Sequence, residues 1–359
     1  MKHKRVILAI LGLTLFIGLA ACQPQTQAAS PTTKPAASSS TPGALETPVK
    51  PPVSEATQTS TPTIPVALLL APPGSDATLA QSVETVLAAP MAQAGLTLQV
   101  VSSLTTDELN ENLRLVVGLP PDAGMQAFAA SAPQVQFLAI GIPGLAPGVN
   151  LTIIGPQGFA EDQRGFIAGV IAAMITPDWR IAVLSLSDTL PGKAASQGFL
   201  NGAIFFCGLC NPYYGPIVDY PLSAERAAAA SLEEWQAAVS FLKDKAVQTV
   251  YVFPGMDRLE VYEMLAQAGF NIIGGGKPPQ AGIKWAASVE AVPEAAVLDA
   301  LPDILAGKGG TILSMPYVIQ NVDEALFSTG KQQRAMEILA DLINGFIDTG
   351  VDALTGENR

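Results

Sequence analysis

The chain has 359 residues, of which 49% are hydrophobic, 6% aromatic and 14% charged, and its formal net charge is −12. Nucleic acid and anionic lipid head groups repel so acidic a chain, so we expect neither as a partner. The single histidine, His3, stands in the N-terminal segment. The rest of the chain therefore lacks the imidazole of Ser-His-Asp and Cys-His catalytic sites and of the common zinc sites.

The N-terminal segment has the order of a secretory signal. Met-Lys-His-Lys-Arg precedes an apolar run over residues 6–21, which is shorter than the roughly 20 residues that a membrane helix needs. The run ends in Leu-Ala-Ala before Cys22, an order similar to the bacterial lipobox. We therefore expect residues 1–21 to be a lipoprotein signal peptide, with Cys22 acylated and the chain held on the extracytoplasmic face of the cell membrane. The alternative is an ordinary signal peptide that happens to end at a cysteine.

Residues 22–63 consist mainly of Ser, Thr, Pro and Ala, with almost no large apolar side chain. Such a segment buries too little surface to offset the entropy of ordering it. We predict a disordered tether that holds the folded part away from the bilayer.

From residue 64 onward, short β-rich runs alternate with helical patterns. The predicted strands are 66–70, 98–101, 113–117, 135–140, 151–154, 181–184, 217–218, 249–253, 271–273 and 311–313. The predicted helices include 77–94, 159–175, 194–206, 232–245 and 258–268. Apolar strands that alternate with helices indicate parallel sheets covered on both faces. The strands are too many for one compact domain, so the predicted fold class is α/β, with two doubly wound, Rossmann-like lobes.

The cysteines that follow the signal form a C-x-x-C motif. With Cys22 acylated, Cys207 and Cys210 remain as an even pair in an oxidising compartment. They end an apolar stretch and precede Asn211-Pro212, as at a helix end that runs into a turn. A redox-active pair usually stands at the start of a helix. The position therefore favours a structural disulfide over a redox site.

Several segments resemble a known protein family. They cover residues 133–137, 166–174, 180–183, 198–203 and 220–221. Their order and spacing are similar to those of the basic membrane protein (PnrA-like) family, substrate-binding lipoproteins of ABC importers. The resemblance covers residues 133–221 and continues more weakly to 296. It implies a type I periplasmic-binding-protein fold, whose two lobes are joined by three crossovers and close on a small molecule.

The first crossover is expected near residues 177–180. The expected N-terminal lobe is then 64–177 with about 286–316, and the expected C-terminal lobe is 178–285 with about 317–359. Relatives often carry a purine nucleoside. The pocket elements of the family are replaced here at 73–77, 141–142 and 275–280, and Glu290 stands where a lysine is expected. The resemblance therefore leaves open whether the cargo is a nucleoside or another solute.

The leading hypothesis is a lipid-anchored solute-binding protein that hands a small molecule to an ABC permease, without covalent chemistry, cofactor or metal. Ligands of doubly wound folds bind at the carboxyl ends of the strands. The candidate residues there are Ser75 and Asp76 in the first lobe, and Phe253, Met256, Asp257 and Lys277 in the second. Ser75 would donate a hydrogen bond, the three charged residues would complement ligand charge, and Phe253 and Met256 would make apolar contacts.

Two other classes stay open. One is a ligand-binding sensor that docks on a membrane receptor and transports nothing. The other is a hydrolase that uses paired carboxylates such as Asp257 and Glu260, which stand near a helix start where acidic residues are expected in any case.

Overall fold

The structure is a computed structural model, and it describes residues 65–256, 258–278 and 282–359. These residues belong to one compact unit. The expected signal peptide, Cys22 and the expected tether lie outside the described residues, as does Asp257.

Strands and helices alternate along the described residues, as the sequence predicts. The strands are β1 (Val66–Leu70), β2 (Thr97–Val101), β3 (Leu113–Gly118), β4 (Gln136–Ile140), β5 (Leu151–Ile154), β6 (Ile181–Leu186), β7 (Leu222–Arg226), β8 (Thr249–Val252), β9 (Asn271–Gly274), β10 (Lys284–Ala291), β11 (Ile312–Leu313) and β12 (Tyr317–Gln320). The helices are α1 (Ala77–Gln93), α2 (Met125–Ser131), α3 (Glu161–Ile175), α4 (Leu190–Cys207), α5 (Leu232–Asp244), α6 (Leu259–Ala268), α7 (Pro293–Leu305) and α8 (Thr329–Ile343).

The described strands form two six-stranded sheets, and each is the centre of one lobe. The strand order is β11-β5-β4-β3-β1-β2 in the first sheet and β12-β10-β9-β8-β6-β7 in the second. All pairs are parallel except β10 with β12. This arrangement confirms the predicted fold class of two doubly wound α/β lobes.

The central strands of the first sheet, β1, β3, β4 and β5, are buried on both faces, which explains their continuous apolar sequence. Along β1, Ala67 and Leu69 belong to the large hydrophobic cluster that continues into the second lobe. Leu68 and Leu70 belong to a separate cluster on the other face, together with Met125 of α2. Successive side chains of a strand point to opposite faces, so a strand between two helical layers must be apolar throughout.

The chain crosses between the sheets three times. It leaves the first sheet after β5, returns after β10, and enters the second sheet again between β11 and β12. The crossovers contact one another: the amide of Gly155 donates to the carbonyl of Leu313 at 2.8 Å, and the amide of Val292 donates to the carbonyl of Pro316 at 2.9 Å. This junction fixes where the two lobes meet.

The structure places the lobe boundaries differently from the expectation. Helix α3 lies before the expected crossover at 177–180, yet it packs against α4, α8 and β8, which belong to the second lobe. Strand β10 continues the second sheet as far as Ala291, beyond the expected return at 286. The first and second crossings therefore lie at 155–160 and near Val292.

The strand predicted at 217–218 is wrong. Ile217 is 72% exposed and lies in a loop, and the edge strand β7 begins later, at Leu222. Its sequence Leu-Ser-Ala-Glu-Arg has little apolar character because it lies at the edge of the sheet. The predicted strands and helices also omit β10, β12, α2, α7 and α8.

Helices α3 and α4 are in backbone contact through glycines. A Cβ on Gly169 would lie 2.8 Å from the amide nitrogen of Ala203 and closer still to the carbonyl oxygen of Phe199. Gly202 faces the carbonyl of Phe166 in the same way. Small residues at this spacing allow the two helix axes to approach closely.

Candidate functional site

A cleft of about 750 Å³ opens between the two lobes at the carboxyl ends of the strands. Its lining comes from the segments after β1, β3 and β8, from the end of β10, and from the first turns of α1, α3 and α7. The lining residues are Gly74, Asp76, Thr78, Leu79, Ser82, Pro120, Pro121, Phe159, Glu161, Arg164, Phe253, Pro254, Gly255, Glu290, Ala291, Val292 and Glu294. Doubly wound folds bind ligands at this edge of the sheet.

Asp76 lines the cleft and also begins α1. Its side chain accepts hydrogen bonds from the amides of Thr78 at 2.7 Å and Leu79 at 3.1 Å, so it is the N-cap of the helix. Ser75 lies behind the lining, and its hydroxyl donates to the carbonyl of Pro120 at 2.7 Å. The sequence hypothesis gave Ser75 a direct ligand contact, whereas the structure uses its hydroxyl to join two cleft loops.

The second-lobe candidates fall into three situations. Phe253 lines the cleft at the end of β8 and is only 4% exposed. Met256 is buried and does not belong to the lining, and Lys277 is exposed and also lies outside it. Asp257 is outside the described residues, so the proposed carboxylate pair with Glu260 has no described geometry.

An ion pair that the sequence analysis missed lies at the start of α3. The guanidinium of Arg164 lies 3.2 Å from a carboxylate oxygen of Glu161, and both side chains are largely buried. The Arg164 guanidinium also lies over the ring of Tyr317, 5.7 Å from its centroid. A charged pair at the head of an otherwise apolar helix was the signal that could have found it.

Each partner of this pair keeps one polar atom free. Arg164 Nε and Glu161 Oε2 are buried and have no hydrogen-bond partner in the described part of the protein. The hydroxyl of Tyr251 is in the same state. Buried polar atoms are nearly always hydrogen-bonded in folded proteins, and Arg164 and Glu161, which line the cleft, can each offer such an atom to a bound molecule.

Burial controls the protonation of this cluster. It raises the pKa of Glu161 above the ordinary value of 4.5, although Arg164 opposes the shift. Burial is the largest single influence and lowers the pKa of Arg164, but the net shift is upward because Glu161, Tyr317, Tyr251 and Glu290 together outweigh it. Burial also raises the pKa values of Tyr251 and Tyr317 well above the ordinary range. Arg164 therefore stays positive and both tyrosines stay neutral.

Two further carboxylates lie on either side of the second crossover. Glu290 ends β10 and Glu294 begins α7, and both are half-buried in the lining. Glu294 accepts a hydrogen bond from the hydroxyl of Ser82 on α1. In the sequence, Glu290 stands out only as a departure from the family lysine, and no pattern singles out Glu294.

The described residues contain no group of His, Cys, Asp and Glu that could hold a metal ion. Across the same residues, no helix combines the length and apolar character needed to cross a membrane.

Cys207 and Cys210 lie at the end of α4, away from the cleft lining. Their Cα atoms are 5.1 Å apart and their sulfur atoms are within bonding distance. The Cα separation lies within the range usual for disulfides. The disulfide stays a prediction for chemical test.

Solved structures share this two-lobed architecture. An ABC transporter solute-binding protein from Conexibacter woesei matches with a TM-score of 0.55 and 16% identity, over 80% of this chain and 98% of the other. A transcriptional activator of the comK gene from Bacillus halodurans matches with a TM-score of 0.52 and 15% identity, over the same shares of both chains. The chain has the type I periplasmic-binding-protein fold.

At this level of identity the likeness shows the fold alone. No family profile and no curated protein matches the sequence. The fold places the cleft between its lobes, and the residues within the cleft must supply the argument for function.

Proposed function

We propose that this chain is an extracytoplasmic solute-binding protein that captures a small molecule in the interlobe cleft and delivers it to an ABC importer. One observation carries the proposal: the cleft contains buried polar atoms, on Arg164 and Glu161, that no group among the described residues satisfies. A purely structural ion pair would gain from satisfying these atoms internally. These unsatisfied hydrogen-bonding atoms support a site that binds a ligand.

The mechanism that fits is hinge closure. Contacts to the ligand come from both lobes, with Asp76 and Pro120 on one side and Arg164 and Phe253 on the other. A molecule that touches both sides stabilises the closed state, because it binds that state better than the open one. The closed lobes would then present a continuous surface to a permease. Binding and release of this kind need no covalent step.

The expected location also supports this role. A lipoprotein signal that ends at Cys22 would hold the protein beside a membrane transporter, with residues 22–63 as the tether. The similar structure from Conexibacter woesei bears the name of an ABC transporter solute-binding protein. The sensor alternative shares the capture step and differs in the membrane partner. The cleft itself does not distinguish the two.

A thermal-shift screen of the chain from residue 60 onward tests ligand capture. The panel contains nucleosides, nucleobases, sugars, amino acids, amines and vitamins. A molecule that binds only the folded state raises the melting temperature in proportion to the logarithm of its concentration. We expect one chemical class to raise it, and Arg164→Met to abolish the shift while the variant still unfolds cooperatively. A flat response across the panel would overturn the proposal.

The anchor and the transporter need a separate test. Full-length protein should be found in the membrane fraction and carry acyl chains at Cys22, and Cys22→Ala should release it. Uptake of the identified ligand should require the protein together with an ABC permease. A protein that binds the ligand, but whose removal leaves uptake of that ligand unchanged, would favour the sensor.

A further inference from the structure

The charge of the cleft lining is unbalanced. Four carboxylates, those of Asp76, Glu161, Glu290 and Glu294, line the cavity, and among the described lining residues they face one cation, Arg164. The lining therefore has three more negative groups than positive ones. A cleft between low-dielectric walls focuses such a field on whatever enters it.

Two buried atoms in the lining lack hydrogen-bond partners among the described residues, and this observation is independent of the charge imbalance. Arg164 is 9% exposed, and its Nε–H has no acceptor in the described protein. Glu161 Oε2 lies beside it without a donor. One group that both accepts and donates, such as a hydroxyl or a primary amide, would satisfy both atoms.

Arg164 attracts Glu290 electrostatically, but its guanidinium is already paired with Glu161. In the described part of the chain neither Glu290 nor Glu294 belongs to an ion pair. Their hydrogen-bond partners are neutral: Asn321 Nδ2 lies 3.5 Å from Glu290, and the Ser82 hydroxyl donates to Glu294. If the lobes closed on a neutral molecule, these carboxylates would lose water and gain no opposite charge beyond that of Arg164, which Glu161 already shares, and this is unfavourable. A cationic group removes that penalty.

Apart from Thr78 and Ser82, the rest of the lining is apolar. Phe159 and Phe253 offer aromatic rings, and Leu79, Pro120 and Pro254 add aliphatic surface. Surface of this kind favours a ligand with an apolar body.

We infer that the ligand is a small organic cation, a protonated amine that carries a hydroxyl or amide group on an apolar body. This inference rests on the proposed capture of a solute in the cleft. The amine faces the carboxylates of Glu290 and Glu294. The hydroxyl or amide group forms the missing hydrogen bonds with Arg164 Nε and Glu161 Oε2. The apolar body packs against Phe159 and Phe253. Phosphates and dicarboxylates are excluded because they would meet the carboxylates without compensation.

A matched series of probes tests the charge requirement. Phenylalaninamide and tyramine are the cations, their N-acetyl derivatives are the neutral counterparts, and N-acetylphenylalanine is the anion. Dissociation constants are measured by titration calorimetry at low and at high salt. We expect each cation to bind at least about tenfold more tightly than its neutral counterpart, with the difference shrinking as salt screens the charges. The anion should not bind.

Substitutions in the lining test whether the preference for cations comes from the cleft carboxylates. Glu290→Gln should weaken binding of the cations several-fold and leave the neutral probes unaffected. Glu337→Gln, on the exposed face of α8 outside the lining, is the matched control and should change neither.

The experiments distinguish failure of the charge preference from failure of solute capture. Equal or tighter binding of the neutral or anionic probes, or binding of adenosine alone, would overturn the inference and leave solute capture standing. No binding by any of these probes or by the wider panel would overturn both.

Discussion

The hydroxyl of Tyr317 on β12 donates a hydrogen bond to the carbonyl of Ala160 at 3.0 Å, and it also contacts the carbonyl of Phe159. Ala160 lies just before α3, in the first crossover, and Tyr317 follows the third. The bond therefore joins two of the three connections between the lobes. The ring of Tyr317 is also the surface beneath the Arg164 guanidinium, so the junction and the candidate site share one side chain.

Replacing Tyr317 with phenylalanine should loosen this junction. The variant keeps the ring but leaves partly buried carbonyls without a donor, so we expect the free energy of unfolding to fall by about 1–2 kcal/mol. Urea denaturation measures the change. Tyr214→Phe is the control, because that side chain is 76% exposed, and it should alter stability by less than about 0.5 kcal/mol. Equal effects from both substitutions would contradict a special role for Tyr317.

Gly169→Ala tests the close contact of α3 and α4. The new methyl group would press on the backbone of α4, so the helices must separate, and we expect a loss of about 1–3 kcal/mol of unfolding free energy. Gly330→Ala in α8 is the matched control, because nothing lies within 4 Å of a Cβ there. That substitution should be neutral or stabilise by up to about 1 kcal/mol through helix propensity. A destabilisation shared by both variants would argue against backbone contact.

The sequence predicts the central strands of the first lobe, β1, β3, β4 and β5, well because those strands are buried on both faces. Leu68 to Leu70 of β1 form a continuous apolar run that two hydrophobic layers require. The edge strands β7 and β12 were missed or misplaced because an edge strand needs no such pattern. The lobe boundary was misplaced because the apolar pattern of α3 does not reveal which sheet it covers, and its packing against α4, α8 and β8 places it in the second lobe.

The site was less predictable than the fold. Strand ends indicated the correct edge of the sheets, so Asp76 and Phe253 were placed at the cleft. The charged pair Glu161 and Arg164 at the head of α3 is visible in the sequence, but its burial and the contact of Arg164 with Tyr317 depend on segments distant along the chain. Lys277 was chosen for its charge and its glycine-rich turn, but its exposed position removes it from the lining.

Asp76 has two separable roles, and two substitutions distinguish them. Asp76→Ala removes the N-cap of α1 and should lower the free energy of unfolding by about 1 kcal/mol. Asp76→Asn keeps a good capping side chain but removes a negative charge from the cleft, so its stability should stay within a few tenths of a kcal/mol of the wild type. Urea denaturation measures both, and a large loss in the Asn variant would show that the charge itself stabilises the helix.

The pairing of Cys207 with Cys210 predicts a specific mass. Intact protein without reductant should be lighter than its reduced form by two protons, and a peptide containing both cysteines should resist alkylation until it is reduced. Because the pair lies outside the cleft lining, reduction should leave ligand affinity unchanged. Free thiols in protein purified from an oxidising compartment would refute the disulfide, and a change in affinity on reduction would show that the end of α4 is coupled to the cleft.

The buried carboxylate of Glu161 predicts how stability depends on pH. Because burial raises its pKa in the folded state above 4.5, the folded protein holds this proton more tightly than the unfolded chain does. Its contribution to stability is therefore complete below about pH 4.5 and is lost as the pH rises through the raised value. Glu161→Gln cannot titrate, so the stability of the wild type relative to this variant should fall across that window. Urea denaturation from pH 4 to 8 measures the difference, and Gly330→Ala, which changes no ionisable group, should show a constant offset. A wild type that gains on the Gln variant with rising pH would mean that Arg164 outweighs burial and that Glu161 is ionised more readily in the folded state than in the unfolded chain.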